Sequence, residues 1–233
     1  MAKRGPIAAA MRFAMSVPGQ ILVNTPVFTL PQELRMERNW RVLDIGCGRA
    51  GFTRVLEHQA KLDRPPVGLD LSRGMLSLAR RDTAGEGTPM LTQGTAAALP
   101  FADATFQLIV SGHAFKYLDD DELHSTLVEA QRVLKPGGLF VAWEFAPTRS
   151  NLLDRWNRRF LEIEVPLVRL RGYRELQAVA YNCGFDWVQP AQLRPFLVPP
   201  IPRVSLIMGR APEGWRSTVI DGKRVLAPAG VDA

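Results

Sequence analysis

The sequence predicts an α/β fold in which helices cover both faces of a mostly parallel, doubly wound sheet. Short apolar runs alternate along the chain with segments whose apolar residues have helical spacing. The 233 residues include 46% hydrophobic and 22% charged residues, a balance that excludes a disordered or fibrous chain. This length suits one large domain with short appendages.

The first two strand and helix pairs are marked by turns and caps. Arg41 to Ile45 forms an apolar run that stops at Gly46, and the helical spacing that follows is carried by Phe52, Val55 and Leu56. Pro66 to Asp70 predicts a second strand. Ser72 then stands where a helix N-cap is expected. The chain therefore begins its ordered part as a β-α-β-α unit.

The later elements follow the same alternation. Phe106 to Val110 predicts a strand, and an acidic run from Asp119 to Glu122 suits the positive N-terminal end of the next helix. The segment from Lys135 to Gly138 is expected to end that helix, before a buried strand from Leu139 to Phe145. The remaining predictions are helices over Asn151 to Ile163 and Tyr173 to Cys183, strands over Phe185 to Gln189 and Arg203 to Gly209, and a hairpin that turns at Asp221-Gly222.

Charge and cysteine content limit the partners and the compartment. The net charge is +6, and its excess lies in two stretches, Met1 to Arg41 and Arg149 to Arg174. Such stretches suit nucleic acid, an anionic membrane surface or ordinary solvated faces. Cys47 and Cys183 are too few for a disulfide framework or a multi-cysteine zinc site. We therefore expect a cytoplasmic protein without a metal.

The glycines after the first strand are the most informative site signal. Gly46, Gly48 and Gly51 have the spacing of a dinucleotide-binding turn, in which the backbone approaches a ligand beside a helix N-terminus. Asp70 ends the second strand, where a carboxylate can accept both hydroxyls of a ribose. Taken alone, this pattern fits NAD, FAD or S-adenosylmethionine.

Several strings in order along the chain resemble the class I S-adenosylmethionine-dependent methyltransferases. They are Val42 to Gly48, Val67 to Ser72, Gly94 to Phe101 and Arg132 to Gly138. The resemblance implies a seven-stranded Rossmann-like sheet over residues 40–212. A helical lid over 1–39 and a C-terminal hairpin over 213–233 are expected beside it.

The resemblance also implies a set of cofactor-binding residues for S-adenosylmethionine. They are Asp44, Gly46, Cys47, Gly48, Asp70, Leu71, Met75, Thr95, Ala96 and Ser111. Three positions depart from the family pattern: Ala50 replaces a usual glycine, and Thr95 and Gln107 replace frequent aspartates. With the aspartate missing, the Thr95 hydroxyl and the Ala96 N–H are expected to serve the adenine.

The loop from Ser111 to Tyr117 is expected to face the methyl donor, and His113 is our candidate general base. Tyr117 and Glu144 are weaker candidates, and His58 and His124 are expected to face solvent. The predicted reaction is in-line transfer of a methyl group to a small apolar or aromatic acceptor, as in the quinone, lipid and secondary-metabolite methyltransferases. A loop histidine with a purely structural role would fit the same pattern.

Other functions stay open at this point. An RNA methyltransferase fits the basic charge, a degenerate protein that only binds the cofactor fits Ala50 and Thr95, and a nicotinamide enzyme fits least. The Arg149 to Arg174 stretch suits a pocket wall, a peripheral membrane contact or phosphate contacts. We expect its apolar side to face the acceptor together with Ile7 to Leu30. The sequence does not determine the methylated atom or the oligomeric state.

Overall fold

The computed structural model describes residues 30–83, 89–161, 168–191, 202–220 and 223–229. Its strands are β1 Val42–Ile45, β2 Val67–Asp70, β3 Met90–Gln93, β4 Phe106–Gly112, β5 Leu134–Phe145, β6 Trp187–Pro190, β7 Arg203–Gly209, β8 Trp215–Ile220 and β9 Lys223–Pro228. Its α-helices are α1 Leu30–Glu33, α2 Gly51–Ala60, α3 Arg73–Asp82, α4 Asp120–Val133, α5 Asn151–Leu161 and α6 Tyr173–Asn182, and Phe115–Tyr117 forms a 3₁₀ helix.

Seven strands form one sheet in the order β3-β2-β1-β4-β5-β7-β6. The first five pair in parallel, and β7 runs antiparallel to both β5 and β6. The predicted mostly parallel, doubly wound fold is thus confirmed. The strands from β1 to β3 are added toward one edge of the sheet, and those from β4 onward are added toward the other edge. Ligands of such sheets bind at the carboxyl ends of the strands beside the point where this order changes, here between β1 and β4.

The sheet is apolar on both faces. Alternate strand residues point to opposite sides, and both sets of residues are apolar. On β4, Ile109 belongs to one core cluster, whereas Leu108 and Val110 belong to the other. The first cluster also contains residues of α4 and α6, and the second contains residues of α1 and α2. Helices therefore cover both faces, as the continuous apolar strands require.

The end of α4 differs from the prediction. The helix stops at Val133 and the strand starts at Leu134, so the segment from Lys135 to Gly138 lies within β5 instead of separating the two elements. Leu134 pairs with Phe106 of β4, which draws the chain into the sheet at once. Gly137 then takes a left-handed φ of 77° inside the strand.

The two ends of the chain are described in part. Leu30, which belongs to the predicted lid, is buried in the second core cluster, and residues 1–29 of that lid lie outside the described part. β8 and β9 form the expected antiparallel hairpin, although its turn at 221–222 is outside the described residues. Within the described residues, no helix has the length and apolar character needed to cross a membrane.

Candidate active site

The loop after β1 is shaped by glycines with left-handed backbone conformations. Gly46 has a φ of 74°, and a Cβ on it would lie 2.7 Å from the Ala114 Cβ. Gly48 has a φ of 53°, yet a Cβ there would meet no atom within 4 Å. The loop therefore touches the segment after β4 on one side and opens to free space on the other.

Ala50 shows how the missing glycine is accommodated. It precedes α2 as the N-cap residue with a φ of 55°, and its side chain is fully buried. The left-handed conformation that a glycine would adopt easily is therefore kept by an alanine. This departure from the family pattern preserves the shape of the turn.

Asp70 links two pieces of the site. One carboxylate oxygen accepts a hydrogen bond from the Gly48 N–H at 2.8 Å, and the other accepts one from the Ser72 N–H at 2.8 Å. Each carboxylate oxygen can accept a second hydrogen bond. Asp70 is thus oriented by the glycine loop and the start of α3 while keeping acceptor capacity for a ligand.

Two buried residues lie in and next to the glycine loop. Asp44 is almost fully buried and accepts a hydrogen bond from the Thr53 hydroxyl at 2.5 Å. Burial raises the pKa of its carboxyl to about 7, although the Thr53 bond opposes that shift and the charge of Asp70 adds to it. Burial also raises the pKa of the Cys47 thiol, helped by both carboxylates, so this cysteine stays protonated and is no nucleophile.

Apolar side chains are exposed beside Asp70. Leu71 is 71% exposed and Met75 is 37% exposed, although both are large and apolar. Thr95 and Ala96 follow β3, whose end is tied to β2 because the Gly94 N–H donates to the Asp70 carbonyl. The Thr95 hydroxyl already accepts the Ala97 N–H at 3.2 Å, so only one acceptor position is left on it.

Ser111 lies deeper than the rest of the predicted set. Its side chain is buried, and its hydroxyl donates to the Ile45 carbonyl at 3.0 Å. The side chain therefore joins β4 to β1. The structure gives this hydroxyl a hydrogen bond within the sheet, and its contact with the cofactor stays a prediction.

His113, the candidate base, contacts a cluster of charged and aromatic side chains. Its Nδ1 is 3.4 Å from a Glu144 oxygen, and its ring stacks on Phe145 with 4.4 Å between centroids. The backbone is left-handed, with a φ of 59°. The Lys116 ammonium donates to the His113 backbone carbonyl, and the His113 backbone N–H donates to the Trp143 carbonyl. A non-glycine residue keeps a left-handed backbone only where its surroundings hold it, so these contacts constrain the position of His113.

Glu144 and Lys116 complete this cluster. Glu144 is buried, and it accepts the Lys116 N–H at 3.0 Å and the Phe145 N–H at 2.8 Å. The Lys116 ammonium lies 3.8 Å from the Glu144 carboxylate. Sequence reasoning named Glu144 as a weaker candidate and missed Lys116, whose only signal was a basic residue between Phe115 and Tyr117.

The cluster sets the protonation of its members. Burial lowers the pKa of His113, and the charges of Lys116 and Arg203 lower it further, while Glu144 opposes them. Burial also lowers the pKa of Lys116. For Glu144, burial acts upward, but the Lys116 charge and the contacts with His113 and Phe145 outweigh it, so the pKa is lowered. The imidazole is therefore neutral at pH 7, beside an ionised carboxylate.

Arg171 holds the loop that carries this cluster. Its guanidinium is buried and donates to the Phe115 and Leu118 carbonyls at 2.9 and 2.8 Å. It also pairs with the exposed Asp120 at 2.7 Å. The sequence placed Arg171 only within a basic stretch, because burial of a single arginine leaves no local pattern.

The other residues that the sequence singled out lie at the surface. His58 and His124 are exposed, as expected, and Tyr117 is 44% exposed beside the Lys116 ammonium. Leu152 and Leu153 are exposed on α5, and the acceptor wall that we expect them to form with Ile7 to Leu30 stays a prediction, because residues 7–29 lie outside the described part. Within the described ranges, no group of three or more His, Cys, Asp or Glu side chains is placed to hold a metal ion.

These features define the class of protein. A doubly wound sheet with a glycine loop after β1 and an oriented carboxylate after β2 is a nucleotide-type cofactor fold. A family model described as a methyltransferase domain matches residues 42–138. The crystal structure of the YcgJ protein from Bacillus subtilis aligns with a TM-score of 0.65 at 19% identity, over 82% of this chain and all of that one, and this likeness supports the fold.

Relatives make the assignment more specific. A ubiquinone/menaquinone biosynthesis C-methyltransferase from Desulfotalea psychrophila is 30% identical over 179 residues, which cover 72% of this chain and 71% of that protein. A demethylmenaquinone methyltransferase from Lactiplantibacillus plantarum is 32% identical over 153 residues, which cover 64% and 63% of the two chains. The chain belongs to the class I S-adenosylmethionine-dependent methyltransferases and is a small-molecule methyltransferase.

Proposed function

We propose that this protein transfers the methyl group of S-adenosylmethionine to a ring carbon of a phenolic, quinol-type acceptor, with His113 as general base. The observation that carries the proposal is the placement of His113 beside Glu144, in the segment that touches the glycine loop at Gly46. The acceptor class is supported by the quinone methyltransferases to which the chain is similar.

The residues at the carboxyl edge fit the cofactor. Asp70 retains acceptor capacity for ribose hydroxyls, and the exposed Leu71 and Met75 offer apolar surface for an adenine ring. The space above Gly48 leaves room for close approach of a ligand. The buried Asp44 supplies a carboxyl for the methionine ammonium. When bound, the cofactor supplies an activated methyl group on a sulfonium.

The chain's own residues control the acceptor proton. Because the His113 Nδ1 faces the Glu144 carboxylate, a proton on Nδ1 leaves the Nε2 lone pair to take the phenolic proton. Loss of that proton makes the ring carbon nucleophilic. Once this carbon has taken the methyl group, its own hydrogen leaves as a proton to water, and the C–H electron pair restores the aromatic ring. The lowered pKa of His113 keeps the imidazole in its basic form at neutral pH.

Lys116 has a positioning role in this scheme. Its ammonium holds the His113 carbonyl, and its backbone N–H holds the Glu144 carboxylate, so one residue ties the base to the group that orients it. The same charge lowers the pKa of both neighbours. An orienting group of this kind is what keeps a base within reach of its proton.

The test is methyl transfer to short-chain, water-soluble naphthoquinols and benzoquinols, measured as methylated product by mass spectrometry. We expect turnover in the parent, and a loss of about 10²- to 10⁴-fold in kcat for His113→Gln because a general base has been removed. Cofactor affinity should stay unchanged. The matched control is His124→Gln, an exposed histidine on α4, which should retain full turnover.

Three results would contradict the proposal. Unchanged turnover in His113→Gln would leave His113 with a structural role in the loop. Methylation of RNA in place of quinols would favour the nucleic-acid alternative, which the small-molecule relatives do not support. Binding of S-adenosylmethionine without transfer to any phenol offered would favour a degenerate protein.

A further inference from the structure

Helix α5 presents apolar side chains to solvent and buries polar ones. Leu152 and Leu153 are 73% and 54% exposed, whereas Asp154 and Asn157 are only 6% and 3% exposed. A helix on the surface of a globular protein normally has the reverse arrangement. The exposed leucines therefore call for a partner that covers apolar surface.

The inward orientation of the polar side has a cause in the structure. The Asp154 carboxylate accepts the Thr148 N–H at 2.6 Å, and the Asp154 N–H donates to the Ser150 carbonyl. These bonds tie the helix to the segment that leaves β5. The helix is thus held with its leucines outward by specific contacts.

The exposed side of α5 is also basic. Arg149 and Arg155 are exposed on either side of the leucines, and the helix sequence continues with Arg158 and Arg159. Asp154 is the one acidic residue between 149 and 161, and it is buried. The helix therefore offers apolar groups next to cationic groups without an exposed carboxylate. This composition is complementary to an anionic lipid surface.

The position of α5 relates this surface to the site. The helix begins six residues after Phe145, the last residue of β5, and Glu144 of the candidate active site precedes that residue. Helix α5 therefore leaves from the same edge of the sheet at which the acceptor must bind.

We infer that α5 lies on an anionic membrane, with Leu152 and Leu153 in the boundary between headgroups and acyl chains and the arginines on lipid phosphates. The inference rests on the proposed function, because a quinol with an apolar tail would partition from water into such a membrane. It also gives the site direct access to that acceptor.

Charge argues against two other occupants. The chain's own residues 1–29 carry Lys3, Arg4 and Arg12 and no acidic residue, so they would bring positive charge to a basic helix. RNA would neutralise the arginines, but it would leave the leucines in water. Only a surface that is both anionic and apolar satisfies both groups.

The test is co-sedimentation of the full chain with vesicles of phosphatidylcholine alone, or of phosphatidylcholine and phosphatidylglycerol in equal amounts. We expect binding to the anionic vesicles only. The double substitution of Leu152→Ser and Leu153→Ser should weaken binding by about tenfold or more, because two apolar side chains lose their burial. The matched control carries Leu78→Ser and Val128→Ser, which are also exposed apolar residues on helices, and should bind as the parent does.

A second pair of variants tests the charge. Arg155→Gln should weaken vesicle binding, and the effect should fall at high salt, whereas Arg80→Gln on α3 should not change binding. Turnover of a water-soluble quinol should be unchanged in all these variants. If the parent protein methylates the soluble quinol but binds neither kind of vesicle, the membrane inference is overturned while the proposed function stands. Binding of RNA that depends on Arg155 but not on the leucines would overturn it in favour of a nucleic-acid surface.

Discussion

Gly46 and Gly48 stand two residues apart in the loop after β1, yet different forces constrain them. Both have left-handed φ values, which cost a non-glycine residue about 1 to 2 kcal/mol. Only Gly46 also lies against another segment, since its Cβ would overlap Ala114. Its smallness therefore lets the cofactor loop and the loop of the candidate base meet.

We expect Gly46→Ala to reduce the free energy of unfolding by about 1 to 3 kcal/mol more than Gly48→Ala, because it adds steric overlap to backbone strain. Urea unfolding of the two variants measures the difference. For Gly48→Ala the larger effect should be on S-adenosylmethionine affinity, since the added methyl enters open space over the loop. Equal losses of stability in both variants would contradict the close contact with Ala114.

At the scale of elements, the segment between β4 and α4 depends on a residue far along the chain. Arg171 precedes α6 and donates to two carbonyls of this segment, at Phe115 and Leu118. Buried carbonyls need hydrogen-bond partners, and a guanidinium can serve several at once. The loop that carries His113 and Lys116 is therefore shaped by tertiary contact.

We expect Arg171→Met to lower the free energy of unfolding by about 2 to 3 kcal/mol, because two carbonyls in a buried site lose their donors. Turnover should fall as well, since the loop of His113 loses its support. Arg169→Gln is the matched control: this exposed arginine lies 3.7 Å from Asp120, and its loss should cost less than about 1 kcal/mol. Thermal or urea unfolding of both variants provides the comparison, and equal effects would argue against the anchoring role.

Element boundaries show how far local patterns reach. The alternation of apolar runs and helical spacing correctly indicated β1, β2, β4 and the helices that follow them. The KPGG segment was wrongly expected to end α4, because pairing of Leu134 with Phe106 begins the strand before the proline. Pairing with a neighbouring strand is a tertiary effect that local turn signals do not contain.

At the scale of the whole molecule, the buried Asp44 links stability to pH. Its pKa in the folded protein is about 7, against 3.8 as its ordinary value, so the folded state holds a proton that the unfolded state releases. Unfolding then releases a proton between these two values, and stability falls as pH rises through that window. Asp44 alone should lower the stability of the ligand-free protein by about 1 kcal/mol between about pH 6 and pH 8.

The measurement is the free energy of unfolding across this pH range for the parent and for Asp44→Asn, which cannot titrate. The difference between the two proteins isolates Asp44 from other groups, including His113, whose lowered pKa acts in the opposite direction below its ordinary value of 6.5. S-adenosylmethionine should reduce the slope, because its ammonium favours the ionised carboxylate. Parallel curves for parent and variant would show that Asp44 keeps an ordinary pKa.

Local sequence patterns were enough to predict the fold class, the glycine loop, the position of Asp70 and the family resemblance. These features are local: a strand, its turn and the residue at its end are adjacent in the chain, so spacing and residue type suffice to predict them. His113 could be proposed as the base for the same reason, since one loop after one strand carries it.

The surroundings of those residues depend on contacts between segments that are far apart in the chain. Lys116, Glu144 and Arg203 come from separate segments, and with burial they shift the pKa of His113. Arg171, from a further segment, holds the Phe115 and Leu118 carbonyls of the loop that carries His113. The Ser111 hydroxyl proved to be occupied within the sheet, and the leucines of α5 proved to face outward. Local spacing can show that a helix has an apolar side, but the direction of that side depends on which residues the rest of the fold holds in place, here Asp154 through the Thr148 N–H.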